Sequence, residues 1–133
     1  MRTNLSALLL TSLLLLSSCS SVKNVVSQVQ PEDPNITLVK DGYVKACDTA
    51  SLGQMADAFL SDPQWTTFTS TDGDTIVELT GEMSYQDLPA DAQLQFKVTD
   101  FGTSFETSYF SLNGVGQGVF MTSALLSKMC EAV

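Results

Sequence analysis

Between residues 75 and 98 side chains of opposite character alternate, and this rhythm limits the chain's folds more than anything else in it. In "TIVELTGEMSY", Val77, Leu79, Gly81, Met83 and Tyr85 share one parity. Glu78, Thr80, Glu82 and Ser84 take the other, with Ile76 the misfit. "AQLQFKV" repeats the pattern, setting Ala92, Leu94, Phe96 and Val98 against Gln93, Gln95 and Lys97. A period of two is that of a strand with one buried face and one wet face. Adjacent strands of this kind form an antiparallel sheet, because sheets of parallel strands are buried on both sides and read as continuous apolar runs. "SFETSYFSLNG" is a third strand whose parity slips. Phe105 and Tyr109 agree, Phe110 and Leu112 take the other register, and a bulge would reconcile them. Asp72-Gly73 and Asp100-Phe101-Gly102 punctuate these runs as turns.

On either side of the strands the period changes. Leu52, Met55, Ala56 and Phe59 fall at i, i+3, i+4 and i+7, and Ser51 with Gln54 forms a capping box ahead of them. Asp62-Pro63 is expected to end that helix. "TSALLSKMCEAV" is a second amphipathic helix with Leu125, Leu126, Met129 and Val133 on its buried side. Residues 36–46 read as a short extended segment bent at Asp41-Gly42. The expected fold is α+β: a three- to four-stranded antiparallel sheet with two helices, one before and one after the strands, on one face. The other face, carrying Glu78, Glu82, Gln93, Gln95 and Lys97, is left to water.

The N-terminus belongs to a different kind of segment. Arg2 precedes "LSALLLTSLLLL", too short to span a bilayer, which needs about 20 residues, but of the right length for the core of an export signal. Leu16-Ser17-Ser18-Cys19 follows. This run resembles the lipobox of bacterial lipoproteins, and the resemblance covers the first 19 residues. It implies that residues 1–18 are removed and that Cys19 receives a diacylglycerol and an N-terminal acyl chain, palmitate-like in chemistry. Two or three chains anchor a small domain where one chain binds only reversibly. Ser20 follows the cysteine where an Asp would signal inner-membrane retention, so the resemblance implies the outer membrane. The domain would face the periplasm, with surface exposure left open. Residues 19–35 read as a polar tether. Val22, Val26 and Val29 fit a short helix, but the composition is that of a linker. Residues 36–133 then form one globular domain.

Charge and missing residue types narrow the function. All fifteen acids but only five of the six basic residues lie beyond residue 18, leaving −10 before any lipid is counted. Nucleic acid, which demands clustered Lys and Arg, is excluded. The chain has no histidine, which removes Ser-His-Asp and Cys-His catalysis and the commonest zinc ligand. "STDGDT", residues 70–75, lacks the later ligands of a calcium loop and reads as a hairpin turn. "NGVGQG", residues 113–118, has the wrong glycine spacing for a dinucleotide fingerprint and reads as the link into the last helix. Trp65 reads as core. No cofactor, metal or small-molecule ligand is expected. With Cys19 assigned to lipid, Cys47 and Cys130 remain, and an oxidising compartment favours their pairing.

From about Asp41 to the end the chain also resembles a widespread group of small bacterial extracytoplasmic α+β domains without an assigned activity. The matching pieces are Gly42-Tyr43-Val44, Leu52-Gly53 with Ala58-Phe59, Pro63-Gln64-Trp65, Leu79-Thr80-Gly81, Gln95-Phe96, Phe105-Glu106, Asn113-Gly114 and Leu125-Leu126-Ser127-Lys128. The chain departs from the pattern at Cys47 and Cys130. A looser likeness, in layout alone, is to the helix-plus-sheet domains of outer-membrane assembly lipoproteins. Three functional classes stay open: a protein-binding or scaffolding lipoprotein, a periplasmic inhibitor or immunity protein against a basic toxin or muramidase, and a carboxylate hydrolase. The first is the expected one.

Overall fold

A computed structural model describes residues 31–133. The expected export segment, the expected lipobox with Cys19 and the expected tether up to residue 30 lie outside the described residues. The order of elements is α1 (Pro34–Lys40), α2 (Leu52–Phe59), β1 (Ser61–Thr69), β2 (Thr75–Tyr85), β3 (Leu88–Thr99), β4 (Ser104–Leu112), β5 (Val115–Gly116) and α3 (Val119–Glu131). The five strands form one antiparallel sheet in sequence order, β1-β2-β3-β4-β5. The α+β class and the antiparallel sheet are therefore as expected, while the counts are larger: five strands instead of three or four, three helices instead of two.

The extra helix is α1, and it corrects the extended reading of residues 36–46. Asp33 caps it, its carboxylate accepting the Asn35 N–H at 2.8 Å, and Pro34 occupies the first helical position. A proline there sets the helical φ and gives up an N–H that would have no intrahelical acceptor anyway. Ile36 and Val39, three apart, face the core. Pro34 and Asn35 thus belong to a helix although they lie in the segment read above as tether. α2 starts as the sequence predicts, with both halves of the Ser51/Gln54 capping box formed.

β1 is the longer of two strands the sequence reading lacks, the other being the two-residue β5. α2 ends at Phe59, with Leu60 already extended, and Asp62-Pro63 lies inside the edge strand that follows directly, where a proline needs no ladder partner. Its start is irregular: Asp62 has φ 51° and the register with β2 shifts between Ser61 and Gln64. β2 and β3 are joined by Gln86-Asp87, both at positive φ, the geometry of a two-residue type I′ turn. The slip in β4 is a bulge: the register shifts opposite Gln95/Phe96, so that Phe105, Phe110 and Leu112 all reach the helix side. Asn113-Gly114 turns the chain into β5, and Asn113 ties back to Asp91 through Asn113 N–H to Asp91 O (2.8 Å) and Asp91 N–H to Asn113 Oδ1 (2.9 Å). α3 starts at Val119, three residues before the predicted segment. Val133 lies beyond its end and is exposed, contrary to the expectation that it packs.

All three helices lie on one face of the sheet. Ile36, Val39, Leu52, Met55, Leu125, Leu126 and Met129 meet Val77, Leu79, Leu94, Phe96, Phe110 and Leu112 in one buried cluster. Trp65 is half-buried against it, stacked on Phe96 at 6.5 Å between ring centroids, while Phe105 meets Phe96 edge-on at 5.9 Å. Cys47 and Cys130 are joined as a disulfide with Cα atoms 5.6 Å apart. The bond ties the loop before α2 to the last turn of α3, and the shared placement of these helices on one face is what brings the two cysteines together.

Candidate functional site

The face opposite the helices carries the polar parity of each strand. Register sets Glu78 across from Gln95 and Thr66, Thr80 across from Gln93 and Gln64, and Gln93 across from Ser111. These side chains are locked to one another. Glu78 Oε2 accepts from Gln93 Nε2 at 2.7 Å and from Gln95 Nε2 at 2.8 Å. Gln93 Oε1 in turn accepts from Ser111 Oγ at 3.1 Å, so Ser111, 1 % exposed and the one buried polar side chain among the described residues, is satisfied. Among the described residues no buried side-chain nitrogen or oxygen lacks a partner. Gln93 links the network, since its amide donates to Glu78 and accepts from Ser111, while Gln95 adds a second donor to Glu78.

One end of this network, Gln93 and Ser111, lines an open trough of about 610 Å³ bounded by Asp62, Gln64, Thr80, Glu82, Asp91 and Gly114. One end of the trough is acidic. Glu82 and Asp91 stand directly opposite across β2 and β3, both exposed, and Asp62 lies beside them on β1. Like charges facing across strands oppose sheet formation. Among the described residues the ion pairs are Lys40–Glu32, Lys97–Asp74 and Lys128–Glu131, so no lysine offsets Asp62, Glu82 or Asp91. Beyond the trough, toward the other end of the same face, Ile76 is 6 % exposed, flanked in register by Phe68 and Lys97. This explains the misfit in the alternation: Ile76 belongs to a small apolar patch on the wet face.

A second, smaller cleft of about 340 Å³ opens on the helix side, lined mainly by Phe59, Met83, Phe110, Met121 and Leu125. The "STDGDT" segment closes as a hairpin turn, with Ser70 N–H to Asp74 O at 2.8 Å and Gly73 at φ 87°. "NGVGQG" supplies the Asn-Gly turn and β5 before α3. Among the described residues no group of three or more His, Cys, Asp or Glu is placed to hold a metal ion, and no helix is long and apolar enough to cross a membrane. Of the predicted site residues, Cys47 and Cys130 are joined, and Cys19 is outside the described residues. Sequence reasoning placed Glu78, Glu82, Gln93, Gln95 and Lys97 on this face but passed over Asp62 and Asp91. Their signal was weak, since both stand where turn residues stand. Comparison with family models, curated proteins and solved structures returns no match for this chain.

Proposed function

We propose that this chain is a lipid-anchored, protein-binding module of a bacterial cell envelope. It is held at the outer membrane through Cys19 with its domain facing the periplasm, and it resembles the small extracytoplasmic α+β domains named above. The lipobox and the export segment support the anchor. The Cys47–Cys130 bond suits an oxidising compartment. The observation that carries the protein-binding reading is the open polar face of the sheet. Small-molecule sites are enclosed, whereas this trough is open and broad, lined by Gln93 and Ser111 of the hydrogen-bonded network and acidic at one end. The same unpaired carboxylates favour a second reading, an inhibitor or immunity protein that meets a basic toxin or muramidase.

Metabolic labelling with a palmitate analogue tests the anchor: wild type is marked and Cys19→Ser is not, and equal labelling of both refutes it. A photoreactive amino acid at Thr80, on the open face, tests the surface in intact cells. A protein adduct that disappears in Asp62→Asn/Glu82→Gln/Asp91→Asn supports protein binding. Absence of any adduct refutes it. An adduct with a soluble basic enzyme whose activity falls on binding moves the assignment to the inhibitor.

A further inference from the structure

The outer edge of β1 is unlike the other edge of the sheet. Among the described residues β1 has no strand beyond it, and no backbone hydrogen bond leaves residues 62–69 except to β2. Sheet edges of this kind recruit other strands, and proteins normally blunt them with charge, proline, bulges or short length. β4, on the opposite side, has such protection: a bulge, Glu106, and β5 over its last residues. β1 has it only at its start, where Asp62, Pro63 and the register shift lie. From Gln64 to Thr71 the sequence is "QWTTFTST", eight residues without a charge and rich in strand formers, in a chain of net charge −9. Thr66, Phe68 and Thr69 are exposed, Phe68 at 42 %.

We propose that this edge takes an extended basic segment of a partner polypeptide as a sixth strand. The proposal rests on the protein-binding reading above and names the partner's chemistry. An added strand lies about 4.8 Å outside β1 and alternates its side chains between the two faces. On the open face, one end of it passes Asp62, with Glu82 one strand further in, and the other end passes Phe68. Lys or Arg at the first position answers Asp62 and Glu82, which no lysine among the described residues offsets, Asp62 accepting only from Gln64 Nε2 at 2.9 Å. An apolar residue four positions away covers Phe68, since Gln64 and Phe68 are four apart on one face. Main-chain bonding to a sheet edge supplies affinity and alternate side chains supply selectivity. A second copy of this chain meets the geometry but not the charge. Its β1 is uncharged from Gln64 onward and it brings another −9 to the contact.

The test uses the full chain in detergent and the labelled peptide acetyl-Lys-Val-Lys-Val-Thr-Val-Phe-Thr-amide. The peptide is expected to bind, and to bind at least tenfold more weakly when its lysines are replaced by glutamate or alternate backbone nitrogens are methylated. Thr66→Lys/Phe68→Lys alters only exposed positions, so it should keep the melting temperature and lose binding tenfold or more. Asp62→Asn/Glu82→Gln should weaken binding and flatten its salt dependence. Equal binding of the N-methylated peptide, or unchanged binding by Thr66→Lys/Phe68→Lys, overturns the proposal. So does sedimentation of the chain alone as a dimer that Thr66→Lys/Phe68→Lys splits, which would assign the edge to a second copy. Photocrosslinking in cells separates this from the broader reading. Partner adducts from Thr80 or Ser127 but none from Thr66 overturn the edge and leave protein binding standing, while no adduct from any of the three removes both.

Discussion

Reducing the Cys47–Cys130 bond should remove a large part of the domain's stability, and the size follows from where the bond sits. The sequence separation is 83, so the crosslink closes most of the folded domain into one loop. The chain-entropy relation for a loop of that length gives about 4.5 kcal/mol at 25 °C as an upper figure, with 2–4 typical of native disulfides. Small domains hold only about 5–15 kcal/mol in all. At about 2.1 cal/mol/K of unfolding entropy per residue over about 100 residues, a loss of 2–4.5 kcal/mol lowers the melting temperature by about 10–20 °C. The assay is urea unfolding of oxidised and reduced protein, followed by the fluorescence of Trp65, the single tryptophan, which stacks on Phe96 in the core. Because the crosslink acts on the unfolded chain, reduction should also steepen the dependence on urea, as the freed chain exposes more surface. Packing is controlled separately. Cys47 is 2 % exposed, so Cys47→Ala/Cys130→Ala measured against the reduced wild type isolates the small cavity. A reduced form within about 1 kcal/mol of the oxidised one would refute the reasoning. So would a full loss of stability with an unchanged urea slope, since that would place the effect in the native state.

Three further outcomes follow from single positions. Gly42→Ala should destabilise the domain by about 1–3 kcal/mol, because a Cβ there would run into the Phe105 ring and come within 2.9 Å of the Leu38 carbonyl oxygen; thermal melting checks it. Ser51→Ala removes the acceptor for the Gln54 N–H and should cost about 1 kcal/mol, measured by urea midpoint, with Ser51→Asp recovering most of it. Phe96→Ala should cost about 3–5 kcal/mol and redshift the tryptophan emission, since Phe96 is fully buried between Trp65 and Phe105. An unshifted spectrum would contradict that packing.

Legibility in the sequence tracked how much of an element's reason lay within the element. The alternation of 75–85 and 92–98 predicted both strands and the polar face, because a half-buried strand writes its burial into every second residue. α2 was readable from its capping box and its i, i+3, i+4 spacing, and the core of α3 from Leu125, Leu126 and Met129. α1 was misread because its seven residues are too few for a period to emerge. Its one signal, Asp33-Pro34, is shared by turns and helix starts. β1 was missed because an edge strand buries little, so "SDPQWTTFT" carries no clean alternation and holds a proline at its third residue. The Gln86-Asp87 turn lacks the glycine that usually marks such geometry.

The residues alone therefore determined the class of fold, the face left to water and the fact that two cysteines remained to pair once Cys19 was assigned to lipid. These depend on local periodicity and on counting. Tertiary structure alone decided which residues the trough gathers, that Glu82 and Asp91 meet with no counter-ion among the described residues, that Glu78 is held by two glutamines, and that β1 has no strand beyond it among the described residues. Each depends on the register between neighbouring strands, and register is set by turn geometry together with the sum of many weak cross-strand contacts that no single strand records.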